Sequence, residues 1–128
     1  MNFLLDTCTF LWLADNAPQL SPAARETFLD PANTFYFSAA SAAEICIKVS
    51  IGKLHLRTDP QRLIEDEQAK NALLLLPFSQ VHAFHLITLP PIHKDPFDRM
   101  LITQALSHTL TLLTPDPLIR QYPVPTLW

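Results

Sequence analysis

Asn2-Phe3-Leu4-Leu5-Asp6-Thr7 is the stretch from which the fold can be read. Its apolar run does not alternate with polar residues, which fits a strand buried on both faces. An acid and a hydroxyl end the run at once, and Phe10, Leu11, Trp12 and Leu13 carry the apolar character on into a helix. Strand, acid, helix is therefore the unit to look for in the rest of the chain.

The unit recurs. Ser21-Pro22 reads as an N-cap with proline at the first helical position, opening a helix over Ala23 to Leu29 that Asp30-Pro31 stops. Thr34 to Phe37 is aromatic and strand-favouring. Ser41-Ala42-Ala43-Glu44 has capping-box spacing, so a helix is expected to start there and fade near Gly52. Asp59-Pro60 opens another helix toward Lys70, Leu73 to Leu76 is a third strand, and Ser79 caps a short helix ending near Leu86. After the loop Leu89-Pro90-Pro91, Asp95-Pro96 caps a helix carrying Phe97, Leu101, Ile102 and Ala105. Thr109 to Thr114 is expected as a fourth strand, Pro115 to Gln121 as a short helix and Tyr122 to Val124 as a last extended piece. Apolar strands alternating with helices predict an α/β three-layer sandwich with a mostly parallel central sheet.

Residues 1–128 have the size of one domain, and 48% hydrophobic with 16% charged residues suits a globular core. The apolar runs are too short for a membrane span, and an acid at position 6 does not suit a signal peptide, so a cytoplasmic location is expected. Cys8 and Cys46 are then expected as free thiols. A net charge of -3 lacks the basic balance of a typical nucleic-acid binder, so any phosphate chemistry needs cations to offset the acids.

Those acids fall in register. Asp6 follows the first strand, Glu44 lies in the helix after the second, and Asp116 comes two residues after the fourth. Parallel sheets of this kind bind ligands beyond the carboxyl ends of their strands. Asp98, in the first turn of its helix, reaches the same rim if the preceding loop crosses it. Four converging carboxylates repel one another unless divalent ions join them, and oxygen ligands suit Mg²⁺ or Mn²⁺. Such sites activate water and stabilise charge on a phosphoryl group, which points to phosphodiester hydrolysis. Asp6 and Asp98 are the expected main ligands, with Glu44 and Asp116 holding a second ion or orienting water. Thr7 and Thr114 would add hydroxyl contacts beside the acids.

At these residues the sequence resembles the PIN-domain family, and within it the VapC-type toxins of bacterial toxin–antitoxin pairs. FLLDTCTFLWL is similar to the family's first strand and acid, which carries over to Asp6. SAASAAEICIKVSIGKL is similar to the helix with the second acid, Glu44, and HKDPFDRMLITQAL to the third motif, with Asp98 and Ala105 seven positions on. LTLLTPD matches the fourth strand and acid, Asp116, and YPVPTLW resembles the family's tail. The resemblance implies a PIN fold, Mg²⁺- or Mn²⁺-dependent endoribonuclease activity on an RNA substrate, a homodimer and a cognate antitoxin partner. Cys8 stands where a histidine is frequent and Pro115 where a basic residue is frequent, the second weakening phosphate contact near Asp116.

Blander roles compete at each position. Asp6, Asp98 and Glu44 sit where helix caps occur, and Asp116 where a turn residue would. Asp95 is assigned to the cap. Lys48, Lys53 and Arg99 are candidates for the phosphate backbone. His93 and Lys94 precede the third motif, and the sequence does not choose between phosphate contact and loop lining. His82 and His85, three apart on one helix, are read as a solvated face because no third metal ligand lies near them in sequence. Phe10, Trp12 and Phe97 are read as core or dimer interface, and Trp128 as an anchor for the tail. Two other functions stay open: an Asp-nucleophile phosphotransfer domain, disfavoured because Cys8 occupies the place of its second Asp, and a catalytically inactive or housekeeping PIN-like module that binds RNA or protein.

Overall fold

The opening run forms β1 (Asn2–Leu5), the middle strand of a five-stranded sheet in a computed structural model that describes all 128 residues. Beside β1 lie β2 (Thr34–Ser38) on one side and β4 (Thr111–Leu113) on the other, with β3 (Leu74–Leu76) and β5 (Thr126–Leu127) at the edges. Every neighbouring pair is parallel, and Leu4 stands in register between Tyr36 and Leu112.

Side chains on a strand point alternately to opposite faces, so β1 feeds two cores. Leu4 and Leu112 face α6 (Pro96–His108), packing with Leu101, Ile102, Ala105 and Tyr122. Phe3, Leu5 and Leu113 face the other way. There they meet Phe10 of α1 (Thr7–Asp15), Ala24 of α2 (Pro22–Leu29), Ile45 of α3 (Ala39–Ser50) and Ile64 of α4 (Pro60–Lys70). A sixth, short helix, α5 (Gln80–His85), packs beside α6. Burying each large apolar side chain contributes about 1.5–3 kcal/mol, and Leu4, Leu5, Leu112 and Leu113 are all wholly enclosed. The molecule is an α/β three-layer sandwich with an all-parallel sheet, as the strand pattern predicts. No helix is long and apolar enough to cross a membrane, and both cysteines are free.

Several boundaries differ from the sequence reading. The cap of α3 is Ser38, whose hydroxyl accepts from Ala40 N, so Ser41 lies inside the helix and Glu44 closes no capping box. β4 is shorter than Thr109 to Thr114, because Thr109 takes a left-handed conformation to end α6. The helix expected over Pro115 to Gln121 shrinks to a 3-10 turn at Ile119–Gln121, since two prolines in the first three positions leave too few N–H donors. Tyr122 to Val124 forms no strand. The final strand comes later, at Thr126–Leu127, and Trp128 packs against Trp12 with ring centroids 5.7 Å apart.

Candidate metal centre

β2 and β3 lie to one side of β1 and β4 and β5 to the other, so the crevice of the sheet opens between the carboxyl ends of β1 and β4. Asp6 and Thr114 meet across it. Asp6 is 2% exposed and caps α1: its Oδ1 accepts from Thr9 N at 2.8 Å and from Cys8 Sγ at 3.3 Å. Its Oδ2 accepts from the Thr114 hydroxyl, which itself accepts from Asp116 N at 3.1 Å. The cap reading and the site reading of Asp6 are thus compatible, because two carboxylate oxygens offer about four acceptor positions and three are used.

In its second turn, α3 carries Glu44 to the same rim. Glu44 Oε1 accepts from Thr7 Oγ1 at 2.7 Å, Thr7 Oγ1 lies 3.0 Å from Ser41 Oγ, and Glu44 Oε2 pairs with Lys48 one turn along the helix. A buried carboxylate thereby keeps a positive partner.

Asp98 arrives by a different route. The loop before α6 is tied down by Arg99, whose guanidinium donates to the carbonyls of Leu86, Pro90 and His93 and to the Tyr122 hydroxyl at 3.0–3.4 Å. Tyr122 in turn donates to Pro90 O and accepts from His93 N, both at 2.8 Å. Asp95 Oδ1 caps the helix by accepting from Phe97 N and Asp98 N. This frame sets Asp98 against Asp116 with His93 between them: His93 Nε2 lies 2.8 Å from Asp116 Oδ2 and 3.1 Å from Asp98 Oδ2.

The protonation of that ring follows from its other side. His93 Nδ1 is 3.1 Å from Asp95 N, a donor with no alternative role, so Nδ1 accepts and Nε2 carries the hydrogen. His93 offers the two acids a donor there, with its lone pair turned away. The three groups have one polar atom each within 4.8 Å of the others, and the oxygens among them are those suited to a hard cation.

The electrostatics point the same way. Burial, then the charge of Asp95, then those of Asp6 and Glu44 push the Asp98 carboxyl up to about 7 against the pull of His93. Asp6 is also raised, chiefly by burial, with Thr114 and Thr9 opposing. The Cys8 thiol, buried beside Asp6 and Asp98, is pushed far up and stays a thiol. A divalent cation relieves this crowding, and the all-carboxylate donor set fits Mg²⁺ or Mn²⁺.

Of the residues singled out from sequence, Asp6, Asp98, Asp116, Glu44, Thr7 and Thr114 reach one rim. Asp98 and Asp116 converge through His93, Asp6 is linked to Asp116 through Thr114, and Glu44 stands outside the tight group. Lys48 is held by Glu44, whose hydrogen bond raises its pKa. Lys53 lies exposed with Lys48 and Glu44 around a hollow of about 200 Å³. Arg99 does not face the rim as a phosphate contact, because its donors are engaged by the loop. His93, undecided from sequence, is a member of the centre, and a histidine two residues before a helix cap was the only local sign of it.

A PIN-domain family model matches residues 3–124. Among solved structures, the VapBC2 complex of Rickettsia felis bound to a promoter DNA fragment matches with a TM-score of 0.75 and 18% identity, over 100% of this chain and 99% of that one. VapBC-1 of nontypeable Haemophilus influenzae gives 0.66 and 21% over 99% and 97%, and FitAcB of Neisseria gonorrhoeae 0.66 and 21% over 98% and 96%. A comparison with curated proteins finds no match.

Proposed function

Because the chain belongs to the PIN-domain family, we propose that it is a Mg²⁺- or Mn²⁺-dependent endoribonuclease, the toxin of a VapBC-type toxin–antitoxin pair, acting as a single cytoplasmic domain. The observation that carries this reading is the meeting of Asp98 and Asp116 beside Asp6 at the crevice of the sheet, with Asp98 pushed up to about 7 by burial and neighbouring acids. Asp6 and Asp98 are assigned as the main ligands, with Glu44 and Asp116 holding a second ion or orienting the attacking water. The bound ion would supply charge stabilisation at the phosphoryl group and an activated water.

The chain's own residues do the positioning. Thr114 orients Asp6, Thr7 orients Glu44, and the His93 Nε2–H keeps Asp98 and Asp116 together. Lys53 is the exposed cation for a phosphate of the RNA, a role that matters more because Pro115 brings no charge beside Asp116. Lys48 joins it when cations at the acids loosen its pair with Glu44.

An apolar surface supports a homodimer and an antitoxin partner. Leu74 and Leu75 of edge strand β3, Val81 and Phe84 of α5, and Ile87 are 48–90% exposed, more than a small monomer usually leaves in water. The solved complexes of similar fold pair toxin with antitoxin. The test is to sequence the RNA ends made by the purified, antitoxin-free chain with Mn²⁺, beside Asp6→Asn. Defined ends that the variant fails to make support the reading. Intact RNA at excess Mn²⁺ overturns it in favour of a binding module.

A further inference from the structure

The far end of α6 carries a second cluster that the acid centre does not use. His82 was expected on a solvated face, but it is 4% exposed, and its Nε2 lies 2.8 Å from Nε2 of His108 in the last turn of α6. His85, three residues along α5, stands apart from that pair, with its Nδ1 3.2 Å from Oγ of Ser107. The imidazole that faces His82 thus comes from a helix 26 residues away. No carboxylate pairs with any of the three rings, and the charges acting on His82 are those of His108 and His85.

From this geometry we propose a binding site for a nitrogen-preferring divalent cation of the Zn²⁺ class between α5 and α6, with His82 and His108 as its protein ligands and water completing the shell. It stands independently of the nuclease reading. Imidazole without carboxylate selects Zn²⁺, Ni²⁺ or Cu²⁺ over Mg²⁺. Histidine ligands characteristically hold their second ring nitrogen on a polar partner. That arrangement is present for His82, whose Nδ1 is 3.1 Å from Ser79 Oγ. Beside the two facing nitrogens an open hollow of about 430 Å³, bounded by Pro77, Ser79, Val81 and Ser107, gives an ion access.

Without metal, Ser79 N donates to His82 Nδ1 at 2.9 Å, so the hydrogen sits on His82 Nε2 and is given to His108. On binding, that proton moves from Nε2 to Nδ1 of His82, where Ser79 Oγ accepts it. The Ser79 N–H, at an exposed residue, turns to solvent. Both rings remain neutral and no net proton is released. Tetrahedral Zn²⁺ with bonds near 2.1 Å separates its ligands by about 3.4 Å, so the rings need to part by only about 0.6 Å. His108 is exposed and free to make that move.

The test is calorimetric titration with Zn²⁺ in saturating Mg²⁺, on the unmodified chain and on His108→Ala, His85→Ala and Asp98→Asn. Thermal melts confirm that each is folded, and nitrogen NMR of the imidazoles follows His82 directly. The expected result is one Zn²⁺ per chain, with affinity reduced at least about tenfold in His108→Ala and unchanged in His85→Ala and Asp98→Asn. The His82 tautomer should switch as Zn²⁺ is added. Equal binding by His108→Ala, loss of binding in Asp98→Asn instead, or no Zn²⁺ uptake overturns the proposal.

Discussion

The two ends of α6 gather ligands by opposite electrostatic logic. At its N-terminus Asp95, Asp98 and, across the crevice, Asp116 crowd negative oxygens around His93. At its C-terminus, about 15 Å along the axis from Asp98, His108 meets His82 ring to ring. Of the two ends, the first suits the helix dipole, which favours negative charge at the start of a helix. The crowded acids are eased by protons or hard cations, whereas the buried imidazole of His82 is disfavoured in its protonated form. If both proposals hold, a single helix would present oxygen to one class of metal and nitrogen to another.

The largest expected effect breaks the acid end. Asp98→Asn should lower Mn²⁺-dependent RNA cleavage by more than about 100-fold, since losing even an outer partner of a ligand costs about 10–100-fold. Single-turnover cleavage rates at saturating Mn²⁺ check this, and a variant within threefold of the unmodified chain would remove Asp98 from the centre.

Next in size is the frame that brings the acids together. Arg99→Ala removes the charged donor to three carbonyls and Tyr122, and should cost about 2–3 kcal/mol of unfolding free energy in urea. Mn²⁺ affinity should fall with it, because the loop then no longer fixes Asp98 and His93. A loss of stability with unchanged Mn²⁺ affinity would detach the brace from the centre.

Acidity separates the two ends by sign. The folded Asp98 carboxyl lies at about 7, above its ordinary 3.8, so its contribution to metal-free stability is complete below 3.8 and lost as pH rises through 7. His82 is lowered from 6.5 by burial and by the other imidazoles, so its contribution is present above 6.5 and lost as pH falls. Urea unfolding in chelator from pH 4.5 to 7.5 should show Asp98→Asn losing the first slope while keeping the second. Parallel profiles for variant and unmodified chain would contradict this.

The smallest effect is expected at Lys48→Ala, a partly exposed partner one helical turn from Glu44. It should cost only about 0.5 kcal/mol by thermal melt, while Mn²⁺ binding strengthens as Glu44 loses its competing cation.

The sequence makes the strand-borne part of this legible. Asp6 and Asp116 follow apolar runs whose burial is dictated by composition, so the sheet carries them to one rim whatever the loops do. The sequence sets Glu44 on the right helix but not that helix's cap, because Ser38 and Ser41 have equal claims and only the end of β2 decides for Ser38. The roles of His93 and Arg99 were hidden for another reason: they depend on hydrogen bonds to Tyr122, more than 20 residues away, which no local spacing encodes. The burial of His82 is hidden because its neighbours Val81 and Phe84 are exposed, while its cover comes from α6 and from Phe78 in the loop before α5. The two-residue β5 is too short to leave a pattern.

The central claim is that chain segments far apart in sequence hold one hard-metal centre. Mn²⁺ titration of the apo protein, followed by electron paramagnetic resonance, tests it most directly. At least one Mn²⁺ per chain should bind, and Asp6→Asn, Asp98→Asn and Asp116→Asn should each weaken it at least about tenfold. Mn²⁺ bound with undiminished affinity by all three folded variants would contradict the account.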